Sequence, residues 1–301
     1  MTVHPQAQAL LDGTVGATPV DELPLAKARS GMSRFSRGKA GPGPDILAVE
    51  DLEIPLPGRT LAAWRYRAVA EPTGTLVFFH GGGWVLLSAA DMDATLRMLA
   101  ARSGMEIVAV DYRLAPEDPY PAAVEDAWEA TRWIAARIAG DRPLVVAGDS
   151  AGGTLAAVIA IRARDEGAPA LAGQVLIYPI ADVAEESDSR RELAEGYFFG
   201  RKEMAWMLEM YIPDRADRLN PDASPLRAED HAGLPPALVV TAGYDPLRDE
   251  GRAYADALRA AGNEVTLSQY DDMIHGFFTL PATLDRSTEA IDEVTEFLRG
   301  R

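Results

Sequence analysis

Gly148-Asp149-Ser150-Ala151-Gly152 sets a single serine between two glycines, at the junction of two stretches of opposite character. Before it, Leu144-Val145-Val146-Ala147 is short, apolar and partly β-branched, the composition of a strand buried on both faces. After it, Ala151 to Arg164 is alanine-rich and reads as helix, and Gly167 supplies a stop signal. A strand that becomes a helix almost at once forces the residue at the bend into a sparsely populated backbone conformation. The flanking glycines lack a Cβ, so neighbouring backbone can pass close on both sides. Alone, the pentapeptide is a weak signal, also compatible with an ordinary Gly-rich strand-to-helix turn. The rest of the chain has to decide what the serine is for.

Outward from this point, apolar strands alternate with helical stretches. Strands are predicted at Thr75 to Phe79, Glu106 to Val110, Leu144 to Ala147, Gln174 to Tyr178, Ala237 to Thr241 and Glu264 to Tyr270. Helices are predicted around Asp91 to Ala101, Ala122 to Ile138, Ala151 to Arg164, Arg248 to Ala261 and from about Ser287. This alternation predicts an α/β fold with a mostly parallel central sheet and helices on both faces. Right-handed crossovers make a doubly wound sheet the simplest topology, with ligands at the carboxyl ends of the strands. Two segments break the rhythm. Met1 to about Ile46 reads as short helical or irregular pieces, ahead of a strand pair around Ala48 to Pro55 and Thr60 to Tyr66. Asp182 to about Ala223 is a long insert, rich in Phe, Met, Trp and Tyr between Tyr197 and Ile212. The insert and the N-terminal segment could close over the site as a lid, or the aromatics could simply pack the insert onto the core.

Composition narrows the function. The 301 residues carry a net charge of -17, which repels nucleic acid and anionic membrane surfaces and argues against both as partners. There is no cysteine, so disulfides, thiolate metal sites and cysteine nucleophiles are excluded. Met1 to Ala28 shows no basic region followed by an apolar run, and no segment has the apolar length of a membrane span. A cytoplasmic protein is the expectation.

An activated serine needs a base, a group to orient that base, and donors for an oxyanion. The chain has 4 histidines. His4 lies in an N-terminus expected to be mobile, and His231 lies in a charged loop. His80 ends a strand ahead of a glycine triplet and suits a bracing role. His275 follows the strand Glu264 to Tyr270, on the same sheet edge as Ser150, and is the candidate base. Asp245, just past strand Ala237 to Thr241, is the candidate orienting carboxylate. Asp249 lies a helical turn further on and suits capping or pairing with Arg248 or Arg252, while Asp271 and Asp272 are too near His275 in sequence. In His80-Gly81-Gly82-Gly83-Trp84 the glycines leave main-chain N–H groups free to face a substrate oxygen. Gly82 and Gly83, with Ala151 after the serine, are the expected donors. A phosphate cradle is disfavoured because no Lys-Ser/Thr pair follows the triplet.

These pieces resemble the hormone-sensitive-lipase-like esterases of the α/β-hydrolase superfamily. The likeness rests on His80 to Gly83, Tyr112-Arg113-Leu114-Ala115-Pro116-Glu117, Gly148 to Gly153, Asp245 to Asp249 and His275-Gly276-Phe277, in that order. The serine pentapeptide matches the G-x-S-x-G nucleophile elbow, and the order Ser, Asp, His is that of the fold. The resemblance implies a triad of Ser150, Asp245 and His275, with an oxyanion hole at Gly82, Gly83 and Ala151. It implies a carboxylesterase for short- to medium-chain esters, a small-molecule substrate and no cofactor or metal. It further implies a helical cap from residues 1–46 and 183–223, over a catalytic domain of residues 47–182 and 224–301. The final strand and helix could pair across a homodimer, as in related enzymes. A non-catalytic ligand-binding protein on the same fold is the competing reading, and the presence of all three triad residues weighs against it.

Overall fold

The computed structural model describes residues 2–301. The chain begins with helices α1 (Pro5–Asp12) and α2 (Leu25–Ala40), then strands β1 (Ala48–Leu56), β2 (Arg59–Arg67) and β3 (Thr75–Phe79). It continues through α3 (Asp93–Ser103), β4 (Glu106–Val110), α4 (Ala122–Ile134), β5 (Leu144–Asp149), α5 (Ala151–Glu166) and β6 (Gly173–Ile177). Helices α6 (Asp188–Glu192) and α7 (Arg201–Tyr211) lie in the insert, before β7 (Ala237–Tyr244), α8 (Arg248–Ala260), β8 (Val265–Ile274) and α9 (Asp285–Arg299). One 8-stranded sheet has the order β1-β2-β4-β3-β5-β6-β7-β8. Strand β2 runs antiparallel to both neighbours, and every pair from β4 to β8 is parallel. This is the predicted α/β architecture.

The continuous apolar runs of the central strands follow from burial on two faces. In β3, Val77 and Phe79 join one core cluster together with Leu155 and Ile159 of α5, Val124 of α4 and Leu258 of α8. Leu76 and Phe78 point the other way, into a second cluster with Leu96 and Leu99 of α3 and Ile291 and Val294 of α9. Alternate residues therefore enter different cores and both must be apolar. Phe79 pairs with Gly148, and Asp149 pairs with Ile177, so Ser150 leaves the sheet at the carboxyl end of a central strand.

Three expectations are corrected. The N-terminal segment is more regular than its punctuation suggests, because α2 runs 16 residues. His4 is not in a mobile tail: its side chain accepts from Gln6 N–H, and its own N–H donates to the Asp272 carbonyl at 2.9 Å. Strand β8 also runs past Tyr270 to Ile274: Asp271 and Asp272 lie in an irregularity opposite Gly243 instead of ending the strand, and pairing with β7 resumes at Tyr244 and Ile274. Among the described residues no helix is long and apolar enough to cross a membrane.

Candidate active site

Ser150 sits at φ 54° and ψ -120°, a left-handed conformation that costs a non-glycine residue on the order of 1–3 kcal/mol. The surroundings hold it there. Its N–H donates to the Ile177 carbonyl at 2.8 Å. A Cβ on Gly152 would overlap the Phe79 carbonyl, and one on Gly148 would overlap the Gly152 carbonyl. Without side chains at these two positions, β3, β5 and α5 close on each other and push the serine side chain outward.

The partners arrive from the next two strands. Tyr244 of β7 pairs with Ile274 of β8, after an irregularity between Ala242 and Tyr244 that re-aims the strand ends. Asp245 and His275 are the next residues on each strand, so they emerge side by side. His275 Nδ1 lies 2.8 Å from Asp245 Oδ2, and Nε2 lies 3.1 Å from Ser150 Oγ. Asp245 is fully buried, and its Oδ1 accepts the Leu247 N–H at 2.8 Å. A buried carboxylate can only accept at Nδ1, so that nitrogen carries the proton and Nε2 is free to accept from the serine. The Tyr178 and Phe199 rings lie against the imidazole, with centroids at 4.6 and 4.8 Å, and confine it.

The structure brings together Ser150, Asp245 and His275 and leaves the rival residues elsewhere. Asp249 pairs with Arg248 at 2.7 Å and accepts the Ser189 N–H at 2.8 Å. Asp271 pairs with Arg252 and Asp272 with Arg286. His231 Nε2 is bonded to the Pro225 carbonyl. His80 is buried, and burial lowers its pKa, so it stays neutral. Its Nδ1 donates to the Gly81 carbonyl at 2.7 Å, and its ring stacks on Tyr112 at 4.4 Å, which is the bracing role expected of it.

The glycine triplet lies against this group. Gly82 and Gly83 have φ of 106° and 62°, and the Gly82 carbonyl accepts from Val85 and Leu86, which closes a tight turn. Among the described residues no hydrogen bond occupies the N–H groups of Gly82, Gly83 or Ala151. A cavity of about 100 Å³ has Ser150, His275, Gly82 and Gly83 in its wall. A chamber of about 600 Å³ adjoins it, sharing Val20, Met32, Phe35, Phe198, Phe199 and Glu203. Phe35 of α2 and Phe198 of the insert stack at 5.0 Å in that shared wall. The insert is pinned near Asp245: Ser189 Oγ donates to the Pro246 carbonyl, and Arg190 forms a buried pair with Glu250 at 2.6 Å.

Several residues of the site escaped the sequence reading. Asp149, Tyr178, Phe199 and Met207 line the cavity or touch the imidazole, but no spacing rule marks them. Asp149 had the one available signal, a carboxylate next to the serine.

A Ser–His–Asp series at the carboxyl edge of a doubly wound sheet, beside free main-chain donors, defines the α/β-hydrolase class. A family model described as alpha/beta hydrolase fold matches residues 76–279, and the chain belongs to that family, in its hormone-sensitive-lipase-like branch. It is similar to the carboxylic ester hydrolase LipN of Mycobacterium tuberculosis, with 41% identity over 87% of this chain and 73% of that protein. It is 36% identical to the gibberellin receptor GID1 of Oryza sativa subsp. japonica, over 77% of this chain and 68% of the receptor. Among solved structures, the ester-hydrolase EH1AB1 from the metagenome of Lake Arreo superposes with a TM-score of 0.95 at 40% identity, covering 99% of each chain.

Proposed function

We propose that the chain is a serine carboxylesterase that hydrolyses short- to medium-chain carboxylic esters through an acyl-enzyme. The observation carrying this reading is the hydrogen-bonded series from Ser150 through His275 to Asp245, in the wall of a cavity. The ester-hydrolase names of LipN and EH1AB1 support it. In this scheme Ser150 Oγ attacks the ester carbonyl carbon while His275 Nε2 takes its proton. Asp245 holds the tautomer and stabilises the imidazolium without itself taking the proton. The carbonyl oxygen becomes anionic and is met by the N–H groups of Gly82, Gly83 and Ala151. Each such donor is worth about 10²–10³ in rate. His275 then protonates the departing alcohol, and a water deprotonated by the same ring hydrolyses the acyl ester on Ser150.

In the same reading, residues 1–46 and 183–223 form the cap, and residues 47–182 and 224–301 the catalytic domain. The two cavities support the chain-length preference. The inner cavity at Ser150, about 100 Å³, is much smaller than the adjoining chamber of about 600 Å³, and so suits a short acyl group. A longer chain has to pass the Phe35–Phe198 wall. Across nitrophenyl esters from acetyl to dodecanoyl, kcat/KM is expected to peak at short or medium length. A maximum at dodecanoyl would contradict the reading.

The likeness to a gibberellin receptor favours a second reading, ligand binding without turnover. A fluorophosphonate separates the two, because it reacts only with an activated serine. Stoichiometric labelling of Ser150 is expected. An unlabelled, folded protein would favour the receptor-like reading.

A further inference from the structure

We propose that Asp149 is a positioning residue that ties the oxyanion loop to the nucleophile turn. This inference rests on the assignment of Ser150 as nucleophile and of Gly82 and Gly83 as oxyanion donors. Asp149 is the last residue of β5 and directly precedes Ser150. Its Oδ1 accepts the Gly81 N–H at 2.8 Å, across 68 residues of sequence. Gly81 lies flat on the carboxylate: a Cβ there would overlap Asp149 Oδ2. The donors Gly82 and Gly83 follow immediately, so one side chain sets the distance between them and the serine. A charged acceptor makes this bond roughly twice as strong as a neutral one. The loop is also braced from its far side, where Tyr112 Oη donates to the His80 carbonyl at 2.7 Å and the His80 and Tyr112 rings stack.

The same carboxylate is sensitive to pH. Asp149 is buried, and burial pushes its carboxyl up to about 6, against the lowering effects of the Gly81 N–H and of His275. The groups that face it are the phenols of Tyr112 and Tyr178 and the imidazole of His275. Glu203 of α7 lines the same cavity. Below about pH 6 the carboxyl takes a proton. It then loses both its charge-assisted hold on Gly81 and its attraction for the imidazolium that forms during catalysis. The rate therefore carries a contribution from Asp149 that is present above about pH 6 and lost below it.

Asp149→Asn keeps an acceptor for Gly81 but does not titrate, whereas Asp149→Ala removes the acceptor. For Asp149→Ala, kcat is expected to fall by about 10²–10³, the effect of a displaced oxyanion donor, with KM within a few-fold. Asp149→Asn should recover part of that loss at pH 8, because a neutral acceptor holds Gly81 less strongly than a charged one. The ratio of wild-type to Asp149→Asn kcat/KM should be well above one at pH 8 and approach one below about pH 6, where the wild-type carboxyl is neutral as well. The inference is overturned if the Ala variant matches the Asn variant in kcat. It is also overturned if the ratio of wild-type to Asp149→Asn kcat/KM does not change between pH 8 and pH 5, a measurement that stands even if the Ala variant fails to fold. Fluorophosphonate labelling of wild-type Ser150 keeps the two levels apart. Labelling with unchanged variants sinks only the role of Asp149, while a wild type that does not label removes the functional reading beneath it.

Discussion

Ser150→Ala is expected to lower kcat for a nitrophenyl ester by about 10⁴- to 10⁶-fold while leaving KM and the melting temperature nearly unchanged. The substitution removes only Oγ. The backbone strain at φ 54° stays, because alanine and serine have the same Cβ, and the N–H bond to the Ile177 carbonyl is untouched. What disappears is the atom that accepts the acyl group. Residual turnover of roughly 10³–10⁴ over water can survive from the oxyanion donors and substrate binding alone. Steady-state kinetics with circular dichroism as a folding control decide the matter. A purified, folded variant with more than a few per cent of wild-type kcat would assign the nucleophile elsewhere.

Gly152→Ala is the largest expected effect on stability. Its new Cβ would overlap the Phe79 carbonyl oxygen and carbon and lie close to the His80 carbonyl. These are main-chain atoms of a strand held between β4 and β5, so no side chain can swing away to make room. Either α5 lifts off the sheet or the turn at Ser150 unwinds. Overpacking of this kind costs about 3 kcal/mol or more, a fall in Tm of roughly 5 °C or more for a domain of this size. Esterase activity should fall further than stability does, because both adjustments move Oγ relative to His275 Nε2. A Tm within a degree or two of the wild type would show that the turn tolerates a side chain, and the close-packing argument would fail.

Much of the fold was legible because its signals are local. Each central strand is buried on both faces, so Thr75 to Phe79 or Leu144 to Ala147 reads as an unbroken apolar run whatever lies around it. The glycines around Ser150 were legible for a similar reason, since a tight strand-to-helix turn constrains only the residues within it. Helix α2 is hard to read, because most of its 16 residues are small or polar and Gly31 and Gly38 look like breaks. The end of β8 is hard to read because Asp271 and Asp272 resemble turn residues, and the strand pairs with β7 again only beyond them, at Ile274.

The sequence by itself determined the sheet, the serine turn, and the short set of residues able to serve it, with His275 and Asp245 leading that set. It could do so because backbone preference and burial period are written within a few residues. Only the tertiary structure decided that His275 reaches Ser150 across 125 residues. The register of Tyr244 with Ile274 releases Asp245 and His275 together, and that register depends on how two whole strands settle. The tie between Asp149 and Gly81 likewise exists only once β3 and β5 lie side by side. The same holds for the stacked Phe35 and Phe198, which come from segments more than half the chain apart and separate the two chambers. Contacts of that kind depend on packing between distant elements, and no local pattern records them.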